Sequence, residues 1–132
     1  FDAVKNQFST DISNAYAKET GVKSWTRTYR LETNTLSIDD RFELNNTIAP
    51  NALHFLVWAN PVSDKEGTIL LEKDGIRLSL RYDAGLFSYD VDTIPQTDKR
   101  LSGVWGNQIY RIRLRAKKMQ TKGQYHILVR KE

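Results

Sequence analysis

Residues 24–44 read SWTRTYRLETNTLSIDDRFEL, and they contain two alternating runs. Trp25, Tyr29 and Leu31 hold alternate positions of the first, with Arg27 between them, and Leu36, Ile38, Phe42 and Leu44 hold those of the second, with Asp40 between them. That is the period of a half-buried strand. A tight turn at Thr33 and Asn34 would join the two as a hairpin. Pairing Leu31 with Leu36 then sets Tyr29 opposite Ile38, Trp25 opposite Phe42 and Arg27 opposite Asp40. Both charges fall on apolar faces, where a lone charge is costly. They are therefore expected as a structural pair, Arg27 with Asp40, hydrogen-bonded to each other.

Outward from this hairpin the chain continues in the same manner. On its N-terminal side QFSTDIS (7–13) reads as a short edge strand with a turn after it, and AYAKETG (15–21) as a loop or one helical turn. On the other side NNTIAPN (45–51) is rich in turn formers and leads into a strand over 52–59. NPVSDKEG (60–67) reads as a loop. Strands over 68–72 and 76–82 flank Asp74-Gly75, a type I′ hairpin signal, because both central positions of that turn need positive φ. This places Leu71 near Leu78 and Ile69 near Leu80. A strand over 87–91 is followed by a long connection, 92–100, and then by VWGNQIYRIRLR (104–115) and by a last strand over 125–129 after Lys122-Gly123. Eight or more strands without a long helix predict an all-β fold, an antiparallel two-sheet β-sandwich forming a single domain over 1–132.

Composition narrows the function classes. The chain has 132 residues, 39% hydrophobic and 27% charged, with no cysteine. There is thus no disulfide framework, thiolate metal site or cysteine nucleophile. No run approaches the roughly 20 apolar residues of a membrane span, so no membrane partner is expected. The start, FDAVKNQF, lacks both a signal-peptide pattern and an initiator Met, which suggests a domain excised from a larger chain. The net charge of +4 is uneven: residues 99–132 hold ten Lys or Arg and one acid. A basic end attracts polyanions, but it is also an ordinary solvated surface. With no aromatic RNA-binding motif, basic recognition helix or zinc module, no nucleic-acid partner is expected.

No catalytic constellation emerges. His54 and His126 are the only histidines, and neither has metal-ligand spacing. There is no GxSxG elbow, P-loop or dinucleotide fingerprint. Asp39 and Asp40 are adjacent on a strand and must point to opposite faces. No catalytic residue, metal or cofactor is assigned. The binding candidates are the aromatic residues least committed to a core, Trp58, Trp105, Tyr16 and Tyr89, and the alternating Arg111, Arg113 and Arg115. These arginines would lie roughly 7 Å apart along one strand and could follow an anionic glycan, unless acids on the neighbouring strand pair with them.

Three segments carry a family resemblance: DISNAYAKETGVKSWTRTYRL (11–31), LSIDDRFEL (36–44) and RLSGVWGNQIYRIRL (100–114). In them an AY, a W-x-R, a D-x-F, and then an RL and a WG before a Tyr-Arg-Ile strand follow in order. In this the chain resembles the C-terminal β region of the heparinase II/III-like polysaccharide lyases, from about Asp11 to its end. The resemblance implies a parent with an α/α toroid followed by β-sandwich layers, cleaving acidic polysaccharide by β-elimination in the periplasm or as a secreted enzyme. The family's catalytic Asn, Tyr and His and its metal-binding stretch lie upstream of the matched segments, and no HxHxD-like run occurs here. The fragment should then be catalytically silent, with the toroid of its own parent chain as partner. Tyr16, Trp25, Arg27 and Asp40 would belong to the sandwich core and hairpin, and Trp105-Gly106 would open the penultimate strand.

Alternatives are a carbohydrate-binding module for anionic glycans and a structural or interaction domain unrelated to sugar. A docking domain should expose an apolar patch, and a glycan binder should expose aromatic and Arg side chains together.

Overall fold

The computed structural model describes residues 1–132, except for the side chain of Asp64. In chain order the strands are β1 (Gln7–Asp11), β2 (Val22–Glu32), β3 (Thr35–Leu44), β4 (Ala52–Val57), β5 (Val62–Lys65), β6 (Thr68–Lys73), β7 (Ile76–Tyr82), β8 (Phe87–Pro95), β9 (Gln108–Ala116) and β10 (Lys122–Lys131). One short helix, α1 (Lys99–Trp105), separates β8 from β9, and two 3-10 turns, Ser13–Ala15 and Lys18–Thr20, separate β1 from β2. The strands form two antiparallel sheets, β1-β2-β3-β10-β7-β6-β5 and β4-β9-β8, packed as a sandwich.

The β2–β3 hairpin has the register that its alternation requires. Leu31 faces Leu36, Tyr29 faces Ile38, Arg27 faces Asp40 and Trp25 faces Phe42. The β6–β7 hairpin likewise sets Leu71 opposite Leu78 and Ile69 opposite Leu80, around Asp74 and Gly75 at φ 53° and 76°. Between the sheets lie Phe42, Ile69, Leu80 and Ile127 from the larger one and Phe87, Ile112 and Leu114 from the smaller, all at most 2% exposed. Burial of each such side chain stabilises the fold by about 1.5–3 kcal/mol. A run of aromatic contacts, Tyr16–Trp25–Phe42–Tyr125–Phe87, with ring centroids 4.8–6.0 Å apart, crosses from one sheet to the other. Gly123 makes room for it: a Cβ there would stand 2.9 Å from Phe42 Cζ.

The structure corrects the chain reading at four places. The 92–100 connection is shorter than expected, because β8 runs on to Pro95. β8 is an edge strand, where a proline costs no sheet hydrogen bond. Residues 60–67 include β5, a short charged edge strand with an irregular register to β6. The strand expected over 52–59 stops at Val57. Finally, Trp105 and Gly106 do not open β9. Trp105 ends α1 and Gly106, at φ 85°, caps it, its N–H donating to the Ser102 carbonyl. At the other end of α1 the Asp98 side chain accepts from the Arg100 N–H at 2.8 Å. An Asp at the N-cap and a Gly at the C-cap suit a helix, whereas Val104 and Trp105 read as strand formers in the 104–115 run.

Candidate functional site

The larger sheet encloses the first cluster. Asp40 Oδ1 accepts from Arg27 Nε at 2.8 Å and from Trp25 Nε1 at 3.0 Å, and Oδ2 accepts from Arg27 Nη2 at 2.7 Å. Asp40 is 2% exposed. The hydrogen bond to Asp40 raises the Arg27 pKa above its ordinary value, against the opposing effect of burial. No reacting group stands beside this pair: its neighbours are the aromatic core and the β2–β3 backbone, so it fixes structure. Nearby, the buried Tyr125 hydroxyl accepts from Asn51 Nδ2 at 3.1 Å, and burial pushes its pKa up.

The second cluster is the arginine stripe. Arg111, Arg113 and Arg115 lie on the outer face of the smaller sheet, with β8 on one side supplying Asp92 opposite Arg111 and Asp90 opposite Arg113. Arg111 Nε and Nη2 donate to Asp92 Oδ2 at 3.1 and 2.5 Å, and Arg113 Nε donates to Asp90 Oδ1 at 2.8 Å. Arg115 Nε reaches Asp90 Oδ2 at 3.0 Å. These donors hold both carboxyl groups below the usual carboxylate range, Arg113 acting chiefly on Asp90 and Arg111 on Asp92. The other neighbour, β4, sets Ala52, His54 and Leu56 beside the stripe. An anionic glycan on the stripe would have to displace two aspartates or sit against them.

The aromatic candidates are distributed differently. Tyr16 stacks on Trp25, and Tyr89 is tilted against Tyr82 at 6.2 Å. Trp58 and Trp105 come together in one apolar pocket of about 360 Å³, with Leu56, Val57, Leu101 and Ile109 around them and Gln96 as its polar residue. Around this pocket Leu56, Leu101, Val104 and Trp105 are 48–77% exposed. The stripe arginines do not line it.

A third region was passed over in the sequence. The outer face of the larger sheet carries a cleft of about 600 Å³, lined by polar side chains that include Thr26, Asp39, Arg41, Gln124 and His126. His126 Nδ1 lies 2.6 Å from Asp39 Oδ1, and both groups are exposed. These residues are the polar halves of alternating strands, and alternation alone marks them only as facing water. Asp39 and Asp40 do point to opposite faces, one to the cleft and one to the core. Among the described residues no three His, Cys, Asp or Glu side chains gather as a metal site, and no helix is long and apolar enough to cross a membrane.

Fold and surfaces together define the class: an all-β antiparallel sandwich with a buried Arg–Asp pair, a neutralised arginine stripe and an exposed apolar corner. Compared with known proteins, the chain matches no family model and no curated protein.

Proposed function

We propose that this chain is the noncatalytic C-terminal β-sandwich domain of a heparinase II/III-like polysaccharide lyase that acts on acidic polysaccharide outside the cytoplasm, periplasmic or secreted, and that it packs against the catalytic toroid of the same parent. The observation that carries this is the apolar corner where Leu101, Val104 and Trp105 of α1 stand exposed beside Leu56. Exposed apolar side chains contiguous around a pocket mark an interaction surface, and a pocket with one polar residue offers a sugar too few hydrogen bonds. The arginine stripe, engaged with Asp90 and Asp92, is a weaker candidate for holding an anionic glycan. The order and spacing of the motifs in segments 11–31, 36–44 and 100–114 support the family reading.

Two measurements test this. Sequencing the gene upstream of the Phe1 codon should reveal an in-frame α-helical toroid, and an upstream domain of another class would refute the assignment. Hydrogen exchange should then find the backbone amides of α1 better protected in the parent than in the isolated chain. Equal protection would remove this corner as the docking face.

A further inference from the structure

We propose that the outer face of the larger sheet is a groove for an extended, unsulfated polysaccharide in which only some sugar units carry a carboxylate. This is independent of the docking corner, which lies beside the smaller sheet. Two clefts meet at Arg81: the one of about 600 Å³ over β2, β3 and β10, and a second of about 480 Å³ lined by residues of β5, β6 and β7 and by Glu132. From β2 to β5 the sheet order makes five inter-strand steps, about 24 Å at the usual strand spacing. A groove of that length crossing the strands suits a polymer better than a small metabolite.

The registers place its chemistry in rows. Thr26, Arg41 and Gln124 stand side by side, then Thr28, Asp39 and His126, and further along the same face Thr68, Arg81 and Leu128. β10 pairs with β7 only from Ile127 on, so beside the first cleft the Gln124–His126 backbone is paired on its β3 side alone and stands with these side chains as a recognition surface. Arg41 has no carboxylate partner among the described residues, whereas Arg81 lies 3.5 Å from Glu132 and Arg77 lies 2.8 Å from Glu72. Asp83, at the end of the first cleft, accepts from the Gly85 N–H through Oδ1.

Cations and acids are interleaved along the groove: Arg41, then Asp39 and Asp83, then Arg81 and Glu132, then Arg77 and Lys65. A densely charged polyanion, whether sulfated glycan or nucleic acid, would meet three carboxylates on its path. Hydroxyl groups both donate and accept, so they match guanidinium, amide and imidazole donors interleaved with carboxylate acceptors. Arg41 and Arg81 would take carboxylates of the ligand. Leu86, in the turn after β7, adds an apolar contact at the edge of the first cleft for the C–H face of a sugar ring.

The test is titration of the isotope-labelled chain with three hexasaccharides, followed by NMR and calorimetry. Hyaluronan carries one carboxylate per disaccharide and no sulfate, heparin is densely sulfated, and cellohexaose is neutral. Hyaluronan hexasaccharide should shift the signals of Arg41, Gln124, His126 and Arg81 and bind more tightly than either of the others. Arg41→Ala should weaken it about tenfold, the loss of one charge-assisted pair, with the thermal midpoint held. Arg111→Ala, on the other sheet, should leave binding unchanged. No hyaluronan binding, tighter binding of heparin, equal binding of cellohexaose, or shifts confined to Arg111–Arg115 or Trp105 would each overturn the proposal.

Discussion

Arg27–Asp40 and the Arg111–Arg113–Arg115 stripe with Asp90 and Asp92 use the same chemistry, an arginine fork on an aspartate of the adjacent antiparallel strand. They differ in what surrounds them. Asp40 is enclosed by Trp25, Phe42 and Tyr125, and its side chain is 1% exposed, whereas those of Asp90 and Asp92 are 40% and 37% exposed. In water a lost partner is replaced by solvent, and in the core it is not. The inward pair is thus an obligation of the fold, and the outward set is a screened surface network whose members compete with any anion that approaches.

Mutations can break this contrast. The largest effect is expected from Arg27→Met, which leaves the Asp40 carboxylate buried beside a single donor. Urea unfolding should show a loss of about 3–5 kcal/mol. Asp40→Asn, which keeps the shape and removes the charge, should also be clearly destabilising, and a variant as stable as the parent would show that the buried pair contributes nothing to stability.

The double variant Arg27→Met/Asp40→Leu sharpens the point. It should recover much of the loss yet remain about 1–3 kcal/mol below the parent, because Trp25 Nε1 would keep no acceptor in the core. If it were no better than Arg27→Met alone, the penalty would lie in packing and not in an unpaired charge.

Asp90→Ala should cost about 1 kcal/mol or less although it removes the partner of two arginines, since exposed pairs are screened. The stripe should instead reveal itself in pH. Asp90 and Asp92 have lowered folded pKa values, so their stabilisation is complete above the unfolded-state value of about 4 and is lost as pH falls through the folded values. Thermal midpoints measured downward from pH 5 should therefore fall less steeply in Asp90→Asn/Asp92→Asn than in the parent. The smallest effect belongs to Arg115→Ala, within about 0.5 kcal/mol in the same urea assay.

Much of the sandwich is legible in the sequence. The β2–β3 and β6–β7 registers follow from side-chain period and turn chemistry, because a slip of one residue would turn Trp25, Phe42, Ile69 and Leu80 to the solvent face. The places where the chain reading failed are local. β5 is made of residues that read as turn formers and is held as a strand by its pairing with β6. The 99–105 segment holds β-prone Val104 and Trp105 inside a helix stopped by Gly106. In both, propensity yields to pairing or capping.

For function the division is sharper. Sequence singled out Trp58, Trp105 and the stripe arginines by residue type, but a strand does not tell which neighbour it will have. β9 lies between β4 and β8, and that placement gives Arg111 and Arg113 their aspartates. The approach of α1 to the end of β4 makes one apolar pocket of two tryptophans 47 positions apart in the chain. By itself the sequence determined most of the strands, two hairpin registers and the Arg27–Asp40 pairing, since all of these depend on side-chain period and on contacts between neighbours along the chain. Only the tertiary structure decided that β10 inserts between β3 and β7, bringing Asp39, His126 and Arg81 onto one grooved face, because its partners lie 79–95 positions away in β3 and 45–53 positions away in β7, and no local pattern encodes them.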